Sequence, residues 1–356
     1  MAAISGCATP PVTSSATTPV AAARTNPVRA AVMDAALEDR ILALNPEKIT
    51  AADVRDTLSK APAPRVFLIR GGIYPVYLAM ESFGAFLTGM GYPEERIVTP
   101  HEHDWSLSPY ESSDEVAGLI AWCYEHEGVR PTIIGHSQGG IQAVKVLHVF
   151  AGDWASELHP YNPVSGQYEA RTTIVDPLTG RERPVVGFKM GLVQTVGTGG
   201  WALALPNHWI VLDRVRTIPD TVDEFIGYRI GFDLWALDGP AFDEVKTFHA
   251  NGSAVVRNVW LPAEYAHVTV PATRDLVSSP ATRAWIDAFV PDGPSAKVAL
   301  PDGPQDNVMF AANVWYELKK HWAIEAQRLV RARRGNLPEQ KQASDGEPRR
   351  ERRVAD

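Results

Sequence analysis

The chain has 356 residues, of which 45% are hydrophobic and 21% charged, enough to form the core of one large domain or two ordinary ones. Its formal net charge of −8, with charged residues spread along the chain, argues against a surface for nucleic acid. The two cysteines, Cys7 and Cys123, exclude a disulfide scaffold and a thiolate zinc cluster. No run of about 18 apolar residues predicts a membrane-spanning helix.

The N-terminal region predicts a flexible leader over residues 1 to about 30, because Ala, Thr, Ser and Pro dominate it. Residues Ile4 to Cys7 resemble the lipobox of bacterial lipoproteins, but the basic and apolar regions that precede such a site are missing. Two interpretations follow. A truncated lipoprotein signal would attach the chain to a membrane through Cys7, in the cell envelope or secreted. A chance match would leave it cytoplasmic.

The first half of the chain alternates strand and helix patterns. Buried strands are predicted at 66–69, 96–99 and 132–134, and helices at 76–90, from Ser112 or Ser113 onwards, and directly after residue 134. Strands that alternate with helices predict an α/β fold with a mostly parallel central sheet and helices on both faces.

The second half continues this pattern with two interruptions. Further strands are predicted at 191–196, 225–232 and 255–261, and helices near Pro280 and at about 307–331. An irregular insertion is predicted at about 152–185, where Pro and Gly recur. Residues 199–223 are apolar enough to form a cap over a pocket, or to pack as ordinary core. We therefore expect one domain over residues 31–335, followed by a disordered tail at 336–356.

The strongest motif is Gly-x-Ser-x-Gly around Ser137. Gly135 and Gly139 flank the serine between a predicted strand and a predicted helix. A sharp turn at this junction needs small residues at both positions, and it places the hydroxyl near a helix N-terminus that favours negative charge. Ser137 is the candidate nucleophile, although a helix-capping serine in a Gly-rich turn has the same local pattern.

The sequence Gly-His-Ser-Gln-Gly-Gly at 135–140 resembles the α/β-hydrolase family, in particular its esterase and lipase branches, and the resemblance covers about residues 60–292. It implies an oxyanion hole formed by the backbone N–H groups of Gln138 and Gly72, or less favourably Ile73. Arg70 stands where the family usually has histidine. Residues 197–200 resemble the family's Gly-Thr-Pro-x-x-Gly strand end without its proline. Acyl transfer by these residues needs no cofactor, and no metal site is predicted.

The family order of nucleophile, acid and base implies which partners Ser137 would have. His267, which follows the last predicted strand, is preferred as the base over His249 and His321, because it lies where the family places its base. Asp233 ends the strand predicted at 225–232 and is preferred as the acid. Asp238, in an Asp-Gly-Pro turn, is the alternative, because strand ends are uncertain by a few residues.

The expected activity is serine hydrolysis of a carboxylic ester, with a small-molecule or lipid-like acyl substrate. A thioesterase, amidase, lactonase or acyltransferase would use the same residues, and a non-catalytic binding protein would keep the fold. His101 to Asp104 contains residue types that bind metals, but a polar loop explains this segment more simply.

Overall fold

The structure is a computed structural model that describes residues 32–100, 103–237, 246–293, 299–300 and 302–335. The predicted leader with Cys7, the alternative acid Asp238 and the predicted tail lie outside these ranges.

A five-stranded sheet forms the centre of the protein. The described strands are β1 (Val66–Ile69), β2 (Thr132–His136), β3 (Tyr161–Asn162), β4 (Gln167–Tyr168), β5 (Thr173–Val175), β6 (Glu182–Pro184), β7 (Met190–Val196), β8 (Thr217–Pro219), β9 (Val222–Ile230), β10 (His249–Asn251) and β11 (Val255–Leu261). The central sheet has the order β1-β2-β7-β9-β11, and each of its neighbouring pairs is parallel.

Helices connect these strands. The described α-helices are α1 (Ala35–Ala43), α2 (Ala51–Asp56), α3 (Tyr74–Met90), α4 (Ser113–Glu127), α5 (Gln138–Ala151), α6 (Pro280–Ala288) and α7 (Val308–Arg333). Short 3-10 helices occupy Pro46–Lys48, Leu58–Lys60, Glu94–Arg96, Gly200–Ala204, Pro206–Val211 and Arg274–Ser278. Among the residues described, no helix combines the length and apolar composition needed to cross a bilayer.

The two faces of the sheet bury separate apolar clusters. In β1, Val66 and Leu68 pack into the cluster that contains α1, α3, α6 and α7, whereas Phe67 and Ile69 pack into the cluster with α4 and α5. Successive strand side chains point to opposite faces, so a strand covered on both sides is apolar throughout. The predicted α/β class, with helices on both faces of a parallel sheet, is confirmed.

The sequence predictions of individual elements hold with one clear exception. The strand predicted at 96–99 is wrong, because the 3-10 helix Glu94–Arg96 and a loop occupy this region. Pro93 precedes that turn, and Ile97 is buried by packing rather than by strand pairing. The segment that joins the edge of the sheet comes later, where Leu107 forms a parallel bridge with Ile69.

Several details also differ from the predictions. The strand predicted at 225–232 is β9, which ends two residues earlier, at Ile230. The candidate cap at 199–223 contains two 3-10 helices, but its last part is β8 and the start of β9. The insertion at 152–185 forms two hairpins, β3–β4 and β5–β6, and the long C-terminal helix is α7.

A buried ion pair attaches α7 to the start of β2. The Nη2 of Arg130 lies 2.6 Å from Oε1 of Glu325, and both side chains are almost fully buried. Burial by itself would raise the pKa of Glu325, but the guanidinium groups of Arg130 and Arg328 outweigh it and hold the pKa at about 2. Because the guanidinium stays charged, removal of this carboxylate leaves a buried cation with less compensation.

We expect Glu325→Gln to lower the free energy of unfolding by about 3 kcal/mol at pH 7, since breaking a buried pair leaves its partner uncompensated. Chemical denaturation measures this loss. The control is Asp56→Asn, which breaks the Arg55–Asp56 pair whose side chains are 69% and 57% exposed. The control should cost less than about 1 kcal/mol, and equal losses in the two variants would contradict the assignment.

The low pKa of Glu325 also predicts that the free energy of unfolding depends on pH. The folded pKa of Glu325, about 2, lies below its unfolded value of about 4.3, so ionisation of this group stabilises the fold above the unfolded pKa. That stability is lost as the pH falls towards 2. We expect the difference between wild type and Glu325→Gln to shrink over this pH range, and a constant difference would argue against the low pKa.

Candidate active site

Ser137 lies at the turn between β2 and α5, with φ 55° and ψ −118°. A non-glycine residue with positive φ costs free energy, of the order of 1–3 kcal/mol, which the surrounding structure must compensate. Its amide donates a hydrogen bond to the carbonyl of Val196 at the end of β7 (2.8 Å). The strained turn is thus attached to the neighbouring strand.

Two glycines permit this turn by close packing of backbones. A Cβ on Gly135 would lie 2.6 Å from the carbonyl oxygen of Gly139, and a Cβ on Gly139 would lie 2.1 Å from the carbonyl oxygen of Ile69. Side chains cannot occupy either place without movement of the backbone. Small residues are therefore required on both sides of Ser137, as expected, because α5 packs directly against the end of β1.

The structure brings Ser137, His267 and Asp233 into one chain of hydrogen bonds. His267 Nε2 lies 2.8 Å from the Ser137 hydroxyl, and His267 Nδ1 lies 2.6 Å from Oδ2 of Asp233. Asp233 and His267 are buried, whereas Ser137 is half-buried. The contact between serine and histidine joins residues 130 positions apart in the chain.

Asp233 is held by the backbone that follows it. Its other oxygen, Oδ1, accepts hydrogen bonds of 2.9 Å from the amides of Trp235 and Ala236. These bonds orient the carboxylate so that Oδ2 faces His267. Because the imidazole meets a carboxylate at Nδ1, that nitrogen is its donor and Nε2 faces the serine hydroxyl as an acceptor.

Gly197, at the end of β7, is a further site residue. It has φ 60°, and a Cβ there would lie 2.9 Å from Nδ1 of His267 and 3.3 Å from Oδ2 of Asp233. A side chain at this position would displace the pair. The sequence shows only a glycine after a strand, and its role depends on two residues that are distant in the chain.

A pocket of about 250 Å³ opens over Ser137. Its lining consists of Gly72, Ile73, Val76, Tyr110, Ser137, Gln138, Gly199, Trp201, Ala202, Leu205, Trp235, His267 and Val268. Both candidate oxyanion residues, Gly72 and Gln138, therefore lie at the pocket beside Ser137. A Cβ on Gly72 would lie 2.1 Å from Oε1 of Gln138, so this glycine allows the two segments to approach closely.

The rim of this pocket is apolar and solvent-exposed. Segments 71–80, 199–212 and 231–237 contain a single Asp, Glu, Lys or Arg, the buried Asp233. Their exposed side chains include Ile73, Tyr74, Leu78, Trp201, Leu205, Trp209, Ile210, Phe232, Leu234 and Trp235. Large exposed apolar surfaces mark binding sites, and four of these side chains, Ile73, Trp201, Leu205 and Trp235, line the pocket over Ser137.

The other candidate histidines lie elsewhere. His249 is exposed on β10, and His321 on α7 lies 2.9 Å from Glu224 near the start of β9, whereas Asp233 follows the end of that strand. His101 and Glu102 lie outside the described residues.

One group of side chains in the described ranges has metal-ligand spacing. Potential ligand atoms of Glu224, Glu317 and His321 lie within 4.8 Å of one another. Lys320 lies 3.1 Å from Glu224, and Arg257 contacts both carboxylates. These cations already balance the acidic charge, so we interpret the group as a buried ion network.

The close packing at the turn predicts the cost of a methyl group. We expect Gly139→Ala to destabilise the protein by about 2–3 kcal/mol, because its Cβ would displace the backbone at Ile69. Gly180→Ala is the control, since Gly180 has φ 70° but open space around its Cβ, and the positive φ alone costs about 1–2 kcal/mol. Denaturation curves measure both losses, and a smaller loss for Gly139→Ala would contradict the packing argument.

No protein-family model matches this chain, and a search among curated proteins returns no match. Its function is therefore inferred from the geometry and chemistry of the site.

Proposed function

We propose that the protein is a serine hydrolase of the α/β-hydrolase fold that cleaves carboxylic esters with an apolar acyl group. The observation that carries this proposal is the hydrogen-bonded chain from Ser137 through His267 to Asp233 at an apolar pocket. The order of the three residues along the chain, and their positions after β2, β9 and β11, agree with the family that the motif resembles.

In the first step, the Ser137 oxygen attacks the ester carbonyl carbon while His267 Nε2 accepts the hydroxyl proton. A serine hydroxyl is a weak nucleophile at neutral pH, so this proton transfer is what activates it. Asp233 stabilises the imidazolium that forms and holds its Nδ1–H in place. The tetrahedral intermediate then collapses, the C–O bond to the alcohol breaks, and His267 returns its proton to the leaving alkoxide oxygen.

In the second step, water attacks the acyl-enzyme carbonyl. His267 accepts a proton from this water, the bond to Ser137 breaks, and the serine oxygen recovers the proton as the carboxylic acid leaves. The same base therefore serves both halves of the reaction, and no cofactor takes part in the proposed steps.

The negative charge on the carbonyl oxygen develops next to Gln138 and Gly72. We assign their backbone N–H groups as the two donors that stabilise it. Gln138 is the first residue of α5, and the N–H of a first helical residue has no acceptor within its own helix, while the helix dipole favours an anion at this end. Such donors typically contribute several kcal/mol to the transition state of acyl transfer.

The first test is the hydrolysis of p-nitrophenyl esters. We expect the wild type to turn over these esters, and Ser137→Ala and His267→Ala to lose at least about a thousandfold in kcat, because both residues act in the same proton transfer. Circular dichroism and thermal melting check that the variants are folded. His249→Ala is the control, because this histidine is exposed and outside the site, and it should keep wild-type activity.

Two outcomes would refute the ester-hydrolase proposal. One is a folded wild type without activity on any ester of the series. The other is a Ser137→Ala variant as active as the wild type. Either result would favour a different acyl substrate or a non-catalytic role for the pocket.

The pocket also predicts a size preference. A volume of about 250 Å³ lies below the roughly 300–1,000 Å³ of most small-molecule pockets, so we expect butyryl to octanoyl esters to be cleaved better than palmitoyl esters. Leu205→Trp should reduce kcat/KM for the octanoyl ester about tenfold relative to the acetyl ester, because it fills space that the acyl chain needs.

Leu212→Trp is the matched control for this change. Leu212 is exposed in the same region but does not line the pocket. The same shift in both variants, or none in either, would mean that this pocket does not bind the acyl group.

A further inference from the structure

His136 immediately precedes the candidate nucleophile in the chain, and its side chain is fully buried. Its Nε2 lies 2.7 Å from the backbone carbonyl oxygen of His267, in the loop that carries the proposed base. A Cβ on Gly71 would lie 3.3 Å from Nδ1 of His136 and 3.2 Å from Cβ of Ser137. The imidazole therefore contacts the base loop and lies beside the loop that contains Gly72.

The protonation state of His136 follows from these contacts. A carbonyl oxygen only accepts hydrogen bonds, so Nε2 carries the proton and donates it to His267. Burial, with a smaller contribution from His267, lowers the pKa of His136 to about 3. The ring is therefore neutral at ordinary pH.

The other ring nitrogen of His136, Nδ1, destabilises the folded state. Nδ1 is buried and has no hydrogen-bond partner among the residues that the structure describes. A buried polar atom without a partner costs about 1–3 kcal/mol, whereas an aromatic hydrocarbon of similar shape would fill the same space without this cost. Packing alone thus gives no reason for a histidine here, and within the described ranges the one hydrogen bond of its ring is the bond to the base loop.

We propose that His136 is a positioning residue, whose Nε2–H holds the backbone of His267 so that the base meets the hydroxyl of the adjacent Ser137. This inference rests on the proposed hydrolase function. The bond joins the residue before the nucleophile to the backbone of the base. It therefore fixes the position of the His267 backbone relative to Ser137, and with it the side-chain distance of 2.8 Å between the two residues. Without this bond, the backbone of His267 loses its hydrogen bond to the turn, and only the side-chain contact between His267 and Ser137 would set their distance.

The test compares His136→Phe with His136→Gln. Phe keeps the ring volume and removes the donor, whereas Gln offers an amide N–H at a similar reach. Active sites are first counted by covalent labelling with a fluorophosphonate, and kcat and KM for p-nitrophenyl butyrate are then measured per labelled site. We expect kcat of His136→Phe to fall about tenfold to a hundredfold with little change in KM, because misplacing the base by a fraction of an ångström to 1 Å slows proton transfer.

We expect His136→Gln to recover most of the lost kcat. The control is His148→Phe, because His148 is also buried in this region of the chain and its Nε2 lies 3.0 Å from the carbonyl of Thr217, at the opposite end of α5 from Ser137. This control should lower thermal stability and leave kcat per labelled site unchanged, which separates a structural role from positioning.

The outcomes distinguish this inference from the proposed function. Wild-type activity per site in His136→Phe, or equal losses in the Phe and Gln variants, would overturn the positioning role and leave the hydrolase proposal standing. A wild type that neither reacts with the fluorophosphonate nor hydrolyses esters would overturn both.

Discussion

The close contact between α5 and the end of β1 determines the geometry of the whole site. Because Gly139 has no side chain, the first turn of α5 lies against the carbonyl of Ile69. This packing holds Ser137 at a positive φ, and it brings the loop after β1 to the serine, so that Gly72 and Gln138 line the same pocket. Strain at one residue is thus balanced by backbone packing around it.

The parallel sheet supplies the remaining partners. Ser137, Asp233 and His267 each follow the carboxyl end of a strand, and parallel strands place these ends at one edge of the sheet. Each partner is then oriented by its surroundings. Two amides fix the carboxylate of Asp233, and Gly197 leaves room for the carboxylate–imidazole pair. The carboxyl edge of the sheet therefore brings the three residues together, and local backbone contacts set the distances between their side chains.

Charge is distributed unevenly between the described parts of the molecule. The segments around the pocket carry almost no charge and expose aromatic side chains, which suits an apolar acyl group. In contrast, buried ion pairs such as Arg130–Glu325 attach α7 near the amino ends of the strands. The Arg130–Glu325 pair thus lies at the opposite end of the strands from the pocket, and its charges do not reach the apolar pocket wall.

The amino-acid sequence by itself determined the α/β class and the turn at Ser137, because these depend on local periodicity and on glycine spacing. The preference for Asp233 and His267 came from the resemblance to the α/β-hydrolase family, applied to the predicted strand ends. The sequence pattern misplaced a strand at 96–99, since burial of Ile97 leaves the same apolar pattern as strand pairing. Only the tertiary structure decided the pocket wall at Trp235, the role of Gly197 and the bond from His136 to His267. The physical reason is that each of these contacts joins residues far apart in the chain, and their side-chain distances follow from packing that no local pattern encodes.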